Sequence, residues 1–308
     1  MTNPTKQPSR EASRLIFLHA LSSLHCGIGQ GTGVIDLPIT REAGTNLPFL
    51  PGSSLKGNLR AAAKSDGMDA EDWLTIFGPE TKDAAEHAGA LSFGDVRLVA
   101  LPVRSLGGTF AWATNPYLLN RLSRDAEAVG LHHPPVVPPL PAGMSYVAEP
   151  GTLGADSNHA HAVLEEIETK LRSEDIAKKW GEWLAKAVWP NDVPEATIWR
   201  GHFLSRFIIL GEDDFQFLCE HGTEVVARVA IDQEKGTVAK GALWYEERLP
   251  AESLLAGIVL GRSSRREGRK ATGEEMLRKA FSKPITRQFG GKVNVGRGLC
   301  RLVPVNPE

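Results

Sequence analysis

The segment PGSSLKGNLR, residues 51–60, has the residue types and spacing of a phosphate site. Ser54 is predicted as the N-cap of a helix, and Ser53 lies beside it. Lys56 and Arg60 are one helical turn apart and therefore share a face. Free amide groups at a helix start, its dipole and two cations together favour an anion. The GxxxxGK[ST] spacing of nucleotide hydrolases is absent. A capped helix with a solvated basic face is the structural alternative.

A second candidate is GGKVNVGRG, residues 290–298. Its four glycines would let the backbone approach a ligand closely. Lys292 and Arg297 supply positive charge. The spacing differs from GxGxxG, which argues against a dinucleotide. A tight hairpin without ligand is the alternative interpretation.

Asp36 lies within the glycine-rich run GTGVIDLPI, and His25 precedes it by eleven residues. An aspartate in such a loop can bind a metal, accept a proton or cap a turn. His25 could act as an acid or base, or be structural. The pair Trp244 and Tyr245 lies beside a predicted hairpin turn, where it would either pack in a core or stack on a nucleic-acid base.

Other chemistry is poorly supported by the sequence. Neither His132 with His133 nor His159 with His161 has the neighbours that a metal site needs. The three cysteines are too scattered for a zinc site or a disulfide scaffold. No Ser-His-Asp arrangement can be defended.

The elements that position these residues alternate between strand and helix, which predicts an α+β or α/β chain with large insertions. We predict strands at 14–22, 90–101 and 203–210. Helices are expected from Ser54 and over 69–77, 115–129, 165–189, 213–221 and 272–281. A β-hairpin is predicted from 225–231 and 237–246, and the chain ends in a glycine-rich strand region.

The composition is that of a folded protein, with 308 residues, 42% hydrophobic and 23% charged. The net charge of −2 conceals an asymmetry, because residues 261–301 carry twelve Lys or Arg against three Asp or Glu. This concentration favours a polyanionic partner, although a solvated helix face would look the same. No apolar run is long enough for a membrane helix and no signal peptide is evident, so we predict a cytoplasmic protein without membrane contact.

Six segments in order resemble the RAMP superfamily of CRISPR proteins, and more narrowly the backbone subunits of type III-B (Cmr) effector complexes. They are GTGVIDLPITRE, LPFLPGSSLKGNLR, IFGP, LSFGDVRLVALPVRSL, IDQEKGTVAKGALWYEERLP and GGKVNVGRG. The resemblance implies an α+β fold, with a ferredoxin-like, RNA-recognition-type palm. It also implies a single RAMP domain over 1–308, with a helical, proline-rich fingers insertion at about 105–200 and a thumb hairpin at about 225–250.

The same resemblance implies partners and roles. The partners would be a CRISPR guide RNA, complementary target RNA, further copies of the chain in a helical filament, and other Cmr subunits. Asp36 would cleave target RNA with a divalent metal, Mg²⁺ or Mn²⁺, whose other ligands are RNA oxygens and water, and His25 would assist. The predicted RNA contacts are Ser53, Ser54, Lys56, Arg60, Lys292 and Arg297, while Trp244 and Tyr245 would displace a base.

Three alternative functions remain open. The chain could be a guide-RNA scaffold that does not cleave. It could instead be a CRISPR RNA-processing endonuclease, which would act alone and use a histidine base. A metabolic α/β enzyme is the third alternative, and the lack of a dinucleotide loop, metal cluster or catalytic triad disfavours it.

Overall fold

The computed structural model describes residues 11–31, 33–80, 86–149, 151–232 and 234–305. Its strands are β1 (Glu11–Ala20), β2 (Phe49–Leu50), β3 (Leu91–Phe93), β4 (Val96–Ser105), β5 (Thr109–Thr114), β6 (Met144–Val147), β7 (His161–Leu164), β8 (Ile167–Ser173), β9 (Phe207–Ile209), β10 (Glu224–Ile231), β11 (Val238–Arg248), β12 (Leu254–Arg262), β13 (Ile285–Gln288) and β14 (Leu299–Val305). Its helices are α1 (Gly52–Ser65), α2 (Ala70–Phe77), α3 (Pro116–Ala128), α4 (Asp175–Val188), α5 (Ala196–Leu204), α6 (Glu212–His221) and α7 (Gly273–Ala280).

Four strands form the centre of the molecule in the spatial order β14-β1-β12-β4, with every neighbouring pair antiparallel. Along the chain, α1 and α2 lie between β1 and β4, and α7 lies between β12 and β14. This β-α-β-β-α-β order is the ferredoxin-like pattern. The predicted fold class is therefore confirmed.

Strand β1 is covered on both faces, because side chains alternate between the two sides of a sheet. Ile16 and Leu18 pack into the core beneath α1, α2 and α7, whereas Leu15 and Phe17 pack into a second core beneath α4. All four side chains are fully buried, and each contributes roughly 1.5–3 kcal/mol of hydrophobic stabilisation. The central sheet is thus the middle of three layers.

The connection between β4 and β12 carries most of the remaining elements. Strands β5, β9, β6, β8 and β7 continue the sheet from the second half of β4, and β7 pairs with β4 again at Ser105 and Leu164. Strands β10 and β11 form a separate two-stranded hairpin, as predicted. The division into fingers and thumb insertions with these boundaries stays a prediction.

The helix predicted over 165–189 is wrong in its first half. Residues Ile167–Ser173 form β8, and α4 begins only at Asp175. In this first half Thr169 is buried and bonded to the hydroxyl of Ser145, while its neighbours in sequence are less buried. The apolar residues that suggested a helix belong to two different elements that follow each other directly.

The three strands predicted outside the hairpin have different bounds. The strand expected over 14–22 is β1, which begins and ends earlier at Glu11–Ala20. The strand expected over 90–101 is interrupted at Gly94 and Asp95, where the Gly94 amide bonds to the Ile258 carbonyl instead of continuing β3. The strand expected over 203–210 shortens to β9, because its first residues end helix α5. No helix in the described part of the chain is both long and apolar enough to cross a membrane.

Candidate nucleic-acid interface

Helix α1 begins three residues earlier than predicted. Its N-cap is Pro51, which makes no side-chain cap, and Ser54 is its third residue, so the predicted N-cap at Ser54 is wrong. The amide of Gly52 donates to a carboxylate oxygen of Asp95 at 2.8 Å. A Cβ at position 52 would collide with the carbonyl oxygen of Phe93. Glycine therefore lets the helix start directly against the sheet.

Lys56 and Arg60 line a cavity of about 490 Å³, together with Ser53 and residues of α2, β3 and the segment before β3. Arg60 donates to the Pro79 carbonyl at 2.9 Å, and its guanidinium lies 4.2 Å from the centroid of the Trp73 ring. We call Ser53, Lys56 and Arg60 the α1 surface. Ser54 does not line this cavity.

Lys56 makes no hydrogen bond or ion pair with any residue the structure describes. Burial lowers the pKa of its ammonium group, and the nearby charge of Arg60 lowers it further. A cation held in this way gains most from an anionic ligand, since the ligand would supply the missing counter-charge. The α1 surface therefore holds a cation without a counter-charge among the described residues.

Asp36 lies at the edge of β11, on the long segment between β1 and β2. The backbone of Leu37 pairs with β11 through the Tyr245 carbonyl and the Glu247 amide, both at 3.0 Å. One oxygen of the Asp36 carboxylate accepts from the Tyr245 amide at 2.8 Å. The other oxygen has no partner among the described residues, and the side chain is exposed. This leaves one carboxylate oxygen available to a ligand.

Glu247 holds that segment in place, and sequence reasoning missed it. Its carboxylate is buried and accepts from the Ile39 amide at 3.0 Å, from Arg41 at 2.6 Å and from the Thr223 hydroxyl at 3.0 Å. The signal available in the sequence was the pair Glu246-Glu247 at the end of a predicted strand. Adjacent strand residues face opposite sides, so both carboxylates could not be solvated surface groups on one face.

His25 is buried, at 5% exposure. Its Nδ1 lies 2.8 Å from the Glu247 carbonyl, which can only accept, so Nδ1 carries the proton. Nε2 faces Gly27, where an added Cβ would lie 2.5 Å away. His25 and Asp36 contact β11 two residues apart, about 7 Å along the strand.

The C-terminal glycine-rich loop also meets β11. Lys292 forms an ion pair with the buried carboxylate of Glu246 at 3.1 Å, and Arg297 donates to the Ser23 hydroxyl at 3.2 Å. Burial alone would raise the pKa of Glu246, but hydrogen bonds from Trp244 and Lys292 outweigh it and the net pKa is lowered. Both predicted RNA-binding cations of this loop are thus engaged within the chain.

Trp244 and Tyr245 occupy opposite faces of β11. The Trp244 ring is half-buried and donates from Nε1 to Glu246 at 2.8 Å. The Tyr245 side chain is 40% exposed, next to the position where its own amide binds Asp36. Of the two, Tyr245 presents the more accessible ring.

The predicted residues therefore fall into two groups. Those around β11 are His25, Asp36, Trp244, Tyr245, Lys292 and Arg297. Those on α1 are Ser53, Ser54, Lys56 and Arg60. Within the described ranges no group of three or more His, Cys, Asp and Glu residues could hold a metal ion. The Asp36 carboxylate fits a divalent ion only as one ligand of a site that other oxygens complete.

Comparison with known proteins identifies the family to which the chain is similar. Residues 17–301 match the sequence family described as the RAMP superfamily. The chain is 35% identical to the CRISPR system Cmr endoribonuclease Cmr4 of Pyrococcus furiosus, over 94% of both chains. It is 27% identical to the CRISPR system CMR subunit Cmr4 of Saccharolobus solfataricus, over 93% of this chain and 94% of that one.

The fold is similar as well. The crystal structure of oligomeric Cmr4 from Pyrococcus furiosus superimposes with a TM-score of 0.73 at 28% sequence identity, covering 96% of this chain and 99% of that one. The resemblance suggested by six short segments thus extends over almost the whole chain. The chain belongs to the RAMP superfamily, and within it to the family of the Cmr4 subunits.

Proposed function

We propose that this chain is the guide-RNA-binding backbone subunit of a type III-B CRISPR effector complex and that it cleaves complementary target RNA. The relative that is 35% identical over almost the full length is named an endoribonuclease of the Cmr system. Further copies of the chain would stack along the guide RNA, and other Cmr subunits would complete the complex. Base pairing with the guide would then select the target, so the protein needs no base-reading side chains of its own.

The observation that carries cleavage is the position of the Asp36 carboxylate. The Tyr245 amide fixes one oxygen, the second oxygen has no partner among the described residues, and the ring of the same Tyr245 is accessible. A target nucleotide splayed onto this ring could turn its 2′-hydroxyl toward the next phosphate. Asp36 would then accept the hydroxyl proton as the 2′-oxygen bonds to phosphorus. The bond from phosphorus to the 5′-oxygen of the next nucleotide would break, giving a 2′,3′-cyclic phosphate and a 5′-hydroxyl that takes its proton from water. Glu247 acts indirectly, because it positions the segment that carries Asp36.

A divalent ion, Mg²⁺ or Mn²⁺, fits this proposal as a group shared between protein and RNA. As the alternative to accepting the proton, Asp36 would supply its one free oxygen to the ion, and RNA oxygens and water would supply the rest. When bound, the ion would neutralise charge on the scissile phosphate. His25 would support the segment through its bond to Glu247 rather than reach the substrate from its buried position.

Guide binding is assigned chiefly to the α1 surface. Lys56 and Arg60 would contact guide phosphates, with Ser53 and Ser54 at the start of the helix adding hydrogen-bond donors. Lys292 and Arg297 would join these contacts where the guide passes β11. Trp244 and Tyr245 would separate one base pair from its neighbours by stacking.

The test is the assembled complex carrying Asp36→Asn or Asp36→Ala. The asparagine variant keeps an acceptor for the Tyr245 amide and loses only the charge. We expect both variants to co-purify with guide RNA and to cleave target roughly 100- to 10,000-fold more slowly. Asp213→Ala, an exposed aspartate on α6, is the matched control and should cleave normally.

Three outcomes separate the alternatives. Normal cleavage by both Asp36 variants would overturn the catalytic assignment and favour a non-cleaving scaffold. Metal-independent cutting of repeat RNA by the isolated chain would identify a processing endonuclease instead. If the purified complex contains no short RNAs that share a repeat-derived 5′ end, the guide-binding role itself is overturned.

A further inference from the structure

The connection between β12 and α7 carries the densest positive charge of the chain. Five cations and one carboxylate lie within residues 262–270, which we call the basic loop: Arg262, Arg265, Arg266, Glu267, Arg269 and Lys270. The structure shows that two of these cations are engaged by carboxylates of helix α2. The loop therefore offers less free charge than its composition implies.

The contacts with α2 have the geometry of phosphate recognition. Both carboxylate oxygens of Glu71 bind the two terminal nitrogens of Arg266, one of them at 2.9 Å. Asp72 binds Arg269 through one oxygen and Lys279 through the other, each at 2.5 Å. A two-pronged contact between arginine and two oxygens is the arrangement that also binds phosphate. Glu71 and Asp72 thus occupy the positions of two anionic groups.

The hydrogen-bonding capacity of the loop is not filled by these contacts. The Nε atom of Arg269 is buried and has no partner in the described part of the chain. Arg265 and Lys270 are exposed and make no hydrogen bond or ion pair with the described residues. The loop therefore keeps unused donors beside two occupied ones.

Helix α2 connects this loop to the α1 surface. Glu71 and Asp72 lie in its first turn, whereas Arg60 binds the Pro79 carbonyl just beyond its last residue. Eight helical residues span about 12 Å. The backbone carbonyl of Ala90, one residue from the cavity of the α1 surface, also accepts from the Arg262 amide. Both basic surfaces therefore lie on one continuous part of the molecule.

We propose that the basic loop is a second RNA phosphate-binding surface, and that Glu71 and Asp72 cover it in the free chain by standing in for two phosphates. RNA held on the α1 surface would compete with these carboxylates for Arg266 and Arg269. The inference rests on the proposed function for the identity of the polyanion. It adds a site and predicts that uncovering this site strengthens RNA binding by the free chain.

The test uses the full-length chain carrying Glu71→Gln and Asp72→Asn. Fluorescein-labelled polyuridine is titrated and its anisotropy followed at several KCl concentrations. We expect roughly fivefold tighter binding at moderate salt. The three freed cations, Arg266, Arg269 and Lys279, should also steepen the slope of log K against log salt by about 2.1, since each phosphate contact to a single strand contributes about 0.7.

The matched control is Glu174→Gln with Asp175→Asn at the start of α4. These are also consecutive carboxylates at a helix start, and they are ion-paired with Arg172 and Lys179 at 2.6 Å. This variant loses the same net charge far from the basic loop in sequence. It should leave the salt slope unchanged.

Adding Arg266→Gln, Arg269→Gln and Lys279→Gln to the test variant should return affinity and slope to the parent values. If the double acid variant fails to fold, Glu71→Gln alone frees Arg266, keeps the Asp72 contacts and should steepen the slope by about 0.7. The proposal that Glu71 and Asp72 cover an RNA-binding surface would be overturned if a folded variant kept the salt slope of the parent chain. It would also be overturned if the control variant showed an equal change in slope. Failure of the proposed function is distinguishable, because the parent chain itself would then bind no RNA.

Discussion

The α1 surface and the C-terminal basic stretch use positive charge in opposite ways. The α1 surface has only two cations, and Lys56 there faces a cavity without any carboxylate partner among the described residues. The stretch 261–301 has twelve cations, yet Arg266, Arg269, Lys279 and Lys292 are all bound to carboxylates. Available charge, rather than the number of charged residues, therefore indicates where a polyanion binds.

The physical basis of this difference is the energy of an unpaired cation. A partly buried ammonium without a counter-ion costs stability, and its pKa falls, as it does for Lys56. A paired cation has already exchanged water for a carboxylate and must give up that contact to bind RNA. The first arrangement can bind a polyanion directly, whereas the second can bind one only after its carboxylates are displaced.

Removal of both cations from the α1 surface would test this comparison most strongly. Lys56→Ala with Arg60→Ala should weaken binding of polyuridine about 30-fold, because two charge-assisted contacts of roughly 1 kcal/mol each give that factor. Arg266→Gln with Arg269→Gln removes the same charge from paired positions and should weaken it less than about threefold. Anisotropy titration measures both variants. Equal losses would show that pairing does not determine which cations bind.

The ion pair between Lys292 and Glu246 should show the stabilising use of charge through its pH dependence. The pKa of Glu246 lies below its unfolded value, so its contribution to stability is present above about pH 4.3 and is lost as pH falls through the folded pKa. Glu246→Gln should lower the free energy of unfolding by about 1 kcal/mol at pH 7, and the difference from the parent should shrink toward pH 3.

Urea unfolding at a series of pH values measures this difference. Glu234→Gln, an exposed glutamate in the turn of the same hairpin, is the control and should match the parent throughout. A difference for Glu246→Gln that stays constant between pH 7 and pH 3 would show that the carboxylate charge stabilises nothing. Lys292 would then be free to act mainly on RNA.

Local patterns in the sequence predicted individual elements and an α+β or α/β chain, whereas the ferredoxin-like palm was implied by the resemblance to the RAMP superfamily. The hairpin, the helix at Pro116–Ala128 with its proline at the first position, and the order of strands around them follow from neighbouring residues. The errors occur where two elements adjoin, as in 165–189, or where a partner distant in sequence fixes the boundary. Asp95 fixes the start of α1 from 43 residues away, which no helix-capping pattern reveals.

The residues of the candidate site also differ in whether they could be predicted from local sequence. Asp36, Lys56 and Arg60 lie in short motifs and could be singled out from residue type and spacing. The pairing of Glu71 with Arg266 joins residues 195 positions apart, and that of Arg41 with Glu247 joins residues 206 apart. Such contacts depend on how the sheet brings its ends together. Composition alone consequently overestimated the free charge of the C-terminal stretch.

The smallest expected effect gives the sharpest test of the α1 surface. Because the pKa of Lys56 lies below its unfolded value, its charge opposes folding below the folded pKa, and this cost disappears as pH rises toward about 10.4. Lys56→Met should therefore stabilise the chain by about 0.5 kcal/mol or less at pH 7 while weakening RNA binding. The gain in stability should vanish near pH 10.5.

Lys64→Met is the matched control, since Lys64 lies on the same helix with its side chain 68% exposed and a distant carboxylate contact at 3.6 Å. It should change neither stability nor RNA binding. A loss of stability in Lys56→Met larger than in the control would mean that Lys56 serves the fold. In that case both basic regions would use charge in the same way, and the distinction between free and paired cations would not identify the RNA-binding surface.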